Sequence, residues 1–247
     1  MSSIRIRFSR GESVKFISHL DLMKVFERAI RRSGLPIAYS KGFNPHPHMV
    51  FGLPLSVGMT SDCEYADFEL VNEVEPEEFT KKLNASLPEG VRVTAAAVNN
   101  SKKNIMAAIS GAEYLLQIFF NEDLPFEKAA AGLDNMLKCE SIKVEKESMG
   151  KDGNKVLKET EIRPMILKAE IEPIKTPPAG YESFGSAYLV KAELKAGSEA
   201  NLRPDLFLKG LAQQLGMTAD AVRMHRSALY SKAGGGMANP LDKTCLS

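Results

Sequence analysis

Histidine is the residue type in this sequence that is best suited to acid–base chemistry near neutral pH. Three of the four histidines, His19, His46 and His48, fall within a stretch of thirty residues. A neutral imidazole can take up a proton in a reaction, or it can bind a transition metal through a ring nitrogen. The three histidines are therefore the candidate catalytic residues, provided that the fold brings them to one site.

The position of His19 follows from the start of the first predicted helix. Ser18 and Asp21 resemble a capping box with Asp in place of the usual Glu, and Gly34 is placed to end the helix. His19 would then lie in the first turn, where the positive end of the helix dipole disfavours an imidazolium. We expect a neutral His19 that can act as a base or as a metal ligand. The alternative is a histidine that only hydrogen-bonds a nearby carbonyl group.

His46 and His48 belong to an unusual segment, Lys41 to His48, with the sequence KGFNPHPH. Its two prolines favour extended backbone at the residues that precede them, so both histidines should project to one side. A stiff loop loses little entropy when it binds a ligand. The alternative is a loop that packs its prolines and Phe43 against the sheet and binds nothing.

The two loop histidines could hold a transition metal if further ligands lie close to them. The further ligands that the sequence offers are His19, Cys63, Asp62 and Asp67. Their spacing matches no specific metal-binding motif, so we predict neither a bound metal nor another cofactor.

A strong charge asymmetry accompanies the histidines, although the net charge of the whole chain is only +1. Residues 1–50 hold nine Lys and Arg against three Asp and Glu, and residues 51–100 hold three against nine. Such a basic block favours an anionic partner such as nucleic acid, unless the two blocks face and neutralise each other. The candidate phosphate-binding residues are Arg5, Arg7, Arg10, Lys15, Lys24, Arg28, Arg31, Arg32, Lys41 and Asn44. Only Phe16, Tyr39 and Phe43 could stack on bases here, which favours backbone binding over sequence-specific reading.

The elements that position these residues have the order of a split βαβ fold. Ile4, Ile6 and Phe8 alternate with polar residues, which is typical of a half-buried strand. Apolar residues then recur at helical spacing up to Gly34. A Pro- and Gly-rich stretch at 39–54 follows, flanked by the apolar residues Ile37 and Val57. A strand at 63–71, a helix at 76–87 and a strand at 91–98 come next, and we predict a β-α-β-β-α-β order.

The same order is predicted again in the second half of the chain. Strands are predicted at 113–120, 142–149, 162–171, 187–194 and 221–230, and helices at 126–137 and 204–215. The second copy therefore has one extra strand or hairpin arm, around a turn at 150–155. We predict an α+β fold of two tandem ferredoxin-like halves with mainly antiparallel sheets. The predicted domains are residues 1–105 and 106–232, followed by a flexible tail at 233–247.

The composition predicts a globular cytoplasmic protein with no membrane span. Apolar residues make up 44% and charged residues 26% of the chain, and no apolar run is long enough to cross a bilayer. The three cysteines are widely spaced, which suits reduced thiols. No phosphate-binding Gly-rich loop, dinucleotide fingerprint, GxSxG or HExxH motif occurs, so the sequence does not support the common nucleotide and hydrolase chemistries.

Several motifs resemble those of a known bacterial family. In the first half they are Lys15 to Asp21 (KFISHLD), Phe26 to Ala29 (FERA) and Tyr39 to Pro47 (YSKGFNPHP). In the second half they are Glu161 to Pro164, Arg203 to Asp205, and His225 with Arg226. These motifs look like those of the radical-SAM-linked family of uncharacterised bacterial proteins, whose domain occurs alone or fused behind a cobalamin-binding radical-SAM protein.

The resemblance implies a role in RNA modification, because the family is associated with radical-SAM and RNA-related genes. The chain lacks a three-cysteine cluster motif, so any radical chemistry would reside in a partner. The expected function is an RNA-binding accessory protein that acts with a radical-SAM enzyme on tRNA or rRNA. One alternative is a histidine-dependent RNA-processing enzyme, since the deduced architecture is similar to the tandem ferredoxin-like endonucleases that process CRISPR repeats. The other is a scaffold that binds a radical-SAM protein.

Overall fold

The elements of the chain follow the order of two split βαβ units, with a hairpin and short terminal elements added. The computed structural model describes residues 2–149, 154–233 and 236–247. The described strands are β1 (Ser2–Arg10), β2 (Met49–Phe51), β3 (Thr60–Leu70), β4 (Val91–Val98), β5 (Ile109–Phe120), β6 (Lys143–Met149), β7 (Lys155–Glu161), β8 (Ile166–Pro173), β9 (Ser186–Lys195), β10 (Ala221–Ala233) and β11 (Gly236–Ala238). The described α-helices are α1 (His19–Ser33), α2 (Pro76–Asn84), α3 (Ile105–Ala108), α4 (Phe126–Lys138), α5 (Pro204–Leu215) and α6 (Lys243–Leu246).

The first unit comprises the described residues of Met1–Ala112, Ala196–Glu199 and Arg226–Ser247. Its strands lie in the order β4-β1-β3-β10, with β2 paired to β3 and β11 paired to β10. β1 is antiparallel to both β3 and β4, and β2 is antiparallel to β3. The order β4-β1-β3-β2 is that of the predicted split βαβ fold.

One face of this sheet packs against α1 and α2. Ile4, Ile6 and Phe8 of β1 are buried, as their alternation predicts. The ring of Phe26 in α1 lies 5.0 Å from that of Phe8 and 5.3 Å from that of Phe51, measured between centroids. Edge-to-face contacts of this kind add to the free energy that apolar burial contributes, so the aromatic cluster holds α1 to the sheet.

The opposite face of β1 carries a buried ion pair. Arg5 Nε donates to Asp67 Oδ1 (2.7 Å), and Arg5 Nη2 donates to Asp67 Oδ2 (3.0 Å). Asp67 Oδ2 also accepts from the backbone N–H of Ile105 (2.8 Å), and Arg5 Nη1 donates to the carbonyl oxygen of Pro240 (3.1 Å). This pair therefore joins β1 and β3 to the start of α3 and to the C-terminal segment.

The second unit comprises the described residues of Glu113–Lys195 and Ala200–His225. Its strands lie in the order β10-β5-β9-β8, which repeats the order of the first unit, and β8 is antiparallel to β9. β6 and β7 form a separate antiparallel pair between α4 and β8 in the chain. An extra strand or hairpin arm is predicted here, but the predicted strand at 162–171 corresponds to β8, and β7 lies between the predicted strands. The predicted turn at 150–155 lies largely outside the described residues. The predicted α+β fold with mainly antiparallel sheets is confirmed.

The C-terminal segment, which is part of the first unit, contacts the N-terminal residues of that unit. The backbone N–H of Asn100 donates to the carbonyl oxygen of Leu246 (2.8 Å), and the Tyr65 hydroxyl donates to Asn239 Oδ1 (3.2 Å). β11 and α6 form within the range 233–247 that the sequence assigns to a tail, of which 234 and 235 lie outside the described residues. The domain boundaries near residues 105 and 232 stay predictions. No helix in the described ranges is long and apolar enough to span a membrane.

We expect Asp67→Asn to lower the free energy of unfolding by about 3–5 kcal/mol, because the Arg5 guanidinium would stay buried without its counter-charge. Urea unfolding measures this loss. The matched control is Glu78→Gln, which removes the same kind of charge from an exposed pair with Lys82 and should cost less than about 1 kcal/mol. Equal small effects of the two substitutions would contradict the structural role of the buried pair.

Candidate functional site

The N-terminus of α1 has the predicted cap. The hydroxyl oxygen of Ser18 accepts from the backbone N–H of Asp21 (3.1 Å), and the same hydroxyl donates to Asp21 Oδ2 (2.7 Å). The helix ends at Gly34, whose φ of 65° is in the left-handed region that glycine adopts most easily. The helix therefore begins at His19, and the predicted position of this histidine in the first turn is confirmed.

The side chain of His19 lies against the core of the first unit. Its ring meets the ring of Phe51 edge to face, with 5.6 Å between centroids and planes at 90°. Burial lowers the pKa of His19 below its ordinary value of 6.5, and the positive charge of Arg10 lowers it further, while Glu64 acts in the opposite direction. Since the ordinary value is already below 7, His19 is neutral at pH 7 and can accept a proton.

Arg10, Glu64 and Arg226 form a buried polar group beside His19. Arg226 Nε donates to Glu64 Oε1 (2.9 Å), and Arg226 Nη2 donates to Glu64 Oε2 (2.6 Å). Arg10, only 1% exposed, donates through Nη2 to the carbonyl oxygens of Val14 (3.4 Å) and Ile17 (3.0 Å). Within the described residues, Arg10 Nε and Nη1 have no hydrogen-bond partner. Arg10 therefore supports the segment that leads into α1.

Two arginines of the predicted phosphate-binding set have structural positions. Arg5 is 0% exposed and pairs with Asp67, and Arg10 is held under the segment before α1. Neither guanidinium is accessible to a phosphate group, so the prediction that Arg5 and Arg10 bind phosphate is wrong. The signal that could have identified Arg10 is its position two residues after Phe8, on the same alternation as the buried residues of β1.

The loop that carries the other two histidines is closed by hydrogen bonds. The backbone N–H of Ser40 donates to the carbonyl oxygen of His46 (2.9 Å), and the backbone N–H of His46 donates to Ser40 Oγ (3.0 Å). The backbone N–H of His48 then donates to the carbonyl oxygen of Ala38 (2.8 Å). Pro47 is buried, whereas Lys41, Phe43 and Asn44 are exposed. We name residues 40–46 the loop tip.

The three histidines contact different neighbours. His46 Nε2 accepts from the amide of Asn44 (3.2 Å), and its Nδ1 lies 3.7 Å from Glu27 Oε1 on α1. His48 Nδ1 lies 2.7 Å from Glu69 Oε2 on β3, while His19 lies against Phe51. Each histidine therefore has its own setting, and a shared reaction centre stays a prediction.

Two of the side chains proposed as additional metal ligands, Cys63 and Asp67, have other roles. Burial raises the pKa of the Cys63 thiol to about 12, and the thiol donates to the carbonyl oxygen of Arg226 (3.5 Å). Asp67 is bound by Arg5. Across the described ranges, no group of three His, Cys, Asp or Glu side chains could hold a metal ion.

The basic residues on the outer side of α1 are exposed. Lys24, Arg28 and Arg31 are spaced at four and three residues, which places them along one side of the helix. Lys24 Nζ lies 3.4 Å from Asp21 Oδ1, and Arg32 Nη2 donates to the carbonyl oxygen of Ser86. We name Lys24, Arg28, Arg31 and Arg32 the α1 basic face.

The remaining candidate residues surround α1 or lie on the sheet. Lys15 pairs with Glu12 (2.7 Å), and its amino group lies 5.1 Å from the ring centre of Phe16. Arg7, half-buried on β1, donates to Thr94 Oγ1 (3.0 Å). Lys41 and Asn44 lie on the loop tip. The predicted basic set is thus concentrated on α1 and the segments beside it.

The sequence comparison decides the family. Residues 3–204 match the family of uncharacterised proteins conserved in bacteria that is called DUF2344. The chain belongs to this family. No curated protein matches the chain. The link to radical-SAM proteins that the motif resemblance implies stays a prediction.

Three solved structures match most of the chain, but the similarity is low. A chain of the Cbf5–Nop10–Gar1 complex has a TM-score of 0.47 at 12% identity, covering 92% of this chain and 48% of its own length. Chains of an H/ACA RNP bound to a substrate RNA and of the archaeal box H/ACA Nop10–Cbf5 complex each have a TM-score of 0.43 at 12% identity, covering 91% of this chain and 46% of their own length. The chain thus spans about half the length of these proteins, and such similarity supports no conclusion about function.

We expect the pKa of His19 to lie below 6.5 in an NMR titration, because burial and the charge of Arg10 disfavour the imidazolium. The unfolded chain then binds more protons than the folded one in the pH window below 6.5, so the free energy of unfolding falls as the pH falls through it. Urea midpoints measured across this window should decrease less in His19→Gln than in the wild type. A His19 that titrates at or above 6.5 would contradict the buried setting.

Proposed function

We propose that this protein is an RNA-binding accessory protein that acts with a radical-SAM enzyme in the modification of tRNA or rRNA. The observation that carries the proposal is the α1 basic face, which presents four cations on one exposed helix. Its arginines can each donate two parallel hydrogen bonds to a phosphate group. RNA is the proposed ligand because its phosphates are spaced regularly along the strand.

The division between buried and exposed arginines supports this role. Arg5 and Arg226 are bound by carboxylates inside the first unit, whereas Arg28 and Arg31 lie on the surface. An exposed ion pair contributes little to stability, so exposed arginines contribute more to ligand binding than to the fold. Arg31 and Arg32 lie in the last turn of α1, where their positive charges interact favourably with the negative end of the helix dipole.

The radical-SAM part of the proposal rests on the motif resemblance. The matching motifs KFISHLD and YSKGFNPHP lie at the start of α1 and in the loop beside it. The two motifs therefore border the α1 basic face, which is the surface that we propose for RNA. A partner enzyme would supply the radical chemistry, and this chain would hold the RNA.

We expect the double substitution Arg28→Glu and Arg31→Glu to weaken the binding of labelled tRNA and rRNA fragments at least about 10-fold, because two phosphate contacts become repulsive. Fluorescence anisotropy across a salt series measures the affinity. The slope of log K against log salt should also become shallower by about 1.4, since each contact to a single strand contributes about 0.7.

The matched control is the double substitution Lys128→Glu and Lys138→Glu on α4, which changes the net charge equally at exposed positions. It should leave the affinity and the slope nearly unchanged. Equal losses in both double variants would show that only the net charge matters. If the wild-type protein binds no RNA at low salt, the proposed function is wrong.

The neutral His19 beside Arg10 favours a second candidate function, a histidine-dependent RNA-processing enzyme. A neutral imidazole in the first turn of a helix can act as a general base. This candidate predicts that the wild-type protein cleaves or alters RNA and that His19→Gln slows the reaction about 100-fold or more. Gel analysis of labelled RNA, with the fold of the variant checked by circular dichroism, is the measurement. RNA left intact by the wild-type protein near neutral pH would exclude this candidate.

A further inference from the structure

We propose that the loop tip, together with Phe16, forms a stacking site for unpaired nucleotides beside the α1 basic face. This inference rests on the proposed function and narrows its ligand to single-stranded RNA. Exposed aromatic rings stack on bases of any sequence, while neighbouring cations bind the phosphates of the same strand. The proposed site thus recognises the flat face of an unpaired base together with a neighbouring phosphate group.

The geometry of the loop tip presents Phe43 to solvent. Its ends are joined by the two hydrogen bonds between Ser40 and His46, so the loop is closed. Gly42 has a φ of 127°, a conformation that side chains rarely allow, and it precedes Phe43 directly. Phe43 is 112% exposed, which means that the folded chain covers none of its ring. A closed turn that holds a phenylalanine in water is a surface suited to a partner.

The second ring lies before the first turn of α1. Phe16 is 72% exposed, and the amino group of Lys15 lies over its ring at 5.1 Å. Leu20, one helical turn before Lys24, is 68% exposed and adds apolar surface next to the basic face. Aromatic, apolar and cationic side chains therefore follow one another from Phe16 along α1.

One contact places the loop tip next to this helix. His46 Nδ1 lies 3.7 Å from Glu27 Oε1, and Glu27 precedes Arg28 of the α1 basic face. Lys41 and Asn44, on either side of Phe43, are exposed and can bind phosphate or base edges. The loop tip that carries Phe43 thus contacts α1, the helix that carries the basic face.

Single-stranded RNA fits these observations better than duplex RNA or a protein. In a duplex the base faces are stacked inside the helix, where Phe16 and Phe43 could not reach them. A protein partner would favour one continuous apolar patch, but here the amino group of Lys15 lies over the ring of Phe16, and the exposed Lys41 is two residues from Phe43. Rings interleaved with cations complement a flexible strand that exposes both bases and phosphates.

The test compares labelled oligouridylate with a blunt-ended RNA duplex of the same phosphate number, at one salt concentration, by fluorescence anisotropy. We expect the wild-type protein to prefer the single strand. Phe43→Leu and Phe16→Leu should each weaken the binding of the single strand about 5-fold or more, and the affinity for the duplex should stay the same. Leucine keeps an apolar side chain but has no ring, so a loss of affinity for the single strand reports on stacking. The control Phe126→Leu, on α4 of the second unit, should change neither affinity.

The outcomes separate this inference from the function on which it rests. In one outcome the wild type binds both RNAs equally, the two phenylalanine variants bind like the wild type, and charge reversal at Arg28 and Arg31 still weakens binding. This outcome overturns the stacking site and leaves the RNA-binding role standing. If the wild type binds neither RNA, both are overturned. If Phe43→Leu and Phe16→Leu weaken only the association with a radical-SAM protein, the surface is a protein contact and the stacking site is again overturned.

Discussion

The contact between Phe8, Phe26 and Phe51 determines where the candidate site can form. Phe26 holds α1 against the sheet, and Phe51 in β2 follows the loop that carries His46 and His48. The ring of Phe51 also meets that of His19. The helix, its first histidine and the neighbouring loop are therefore anchored to the same apolar cluster, because close packing leaves these rings few alternative arrangements.

In the first unit, the exposure of an arginine depends on whether it lies on strand β1 or on helix α1. Two arginines of β1 are enclosed, so Arg5 requires the carboxylate of Asp67 and Arg10 bonds to backbone carbonyl groups, whereas Arg7 is half-buried. The arginines of α1 lie on the side of a helix that faces away from its core residues. Desolvation of a charge costs several kcal/mol and must be offset by close partners, whereas a solvated charge stays available to a ligand. The basic composition of residues 1–50 thus contains structural cations as well as candidate binding cations.

Local patterns explain why most of the fold could be predicted. The alternation in β1, the cap formed by Ser18 and Asp21, and the glycine at 34 each depend on residues that are close in sequence. The repeated strand order of the second unit follows from the same element order. The first strand of the extra arm is predicted, since 142–149 matches β6, whereas β7 lies between the predicted strands at 142–149 and 162–171. The three-residue strand β2 is too short for a recognisable period, and its pairing with β3 depends on the tertiary structure.

The sequence by itself determined the α+β class, the position of His19 in the first turn of a capped helix, and the basic side of α1, because each follows from spacing along the chain. Only the tertiary structure decided which charged side chains are enclosed and which histidine meets which carboxylate. His46 and His48 are two residues apart, yet one lies near Glu27 of α1 and the other beside Glu69 of β3. Burial and pairing depend on residues distant in sequence, such as Arg5 with Asp67 and Glu64 with Arg226. Spacing along the chain carries no information about such partners, since packing brings them together only in the folded protein.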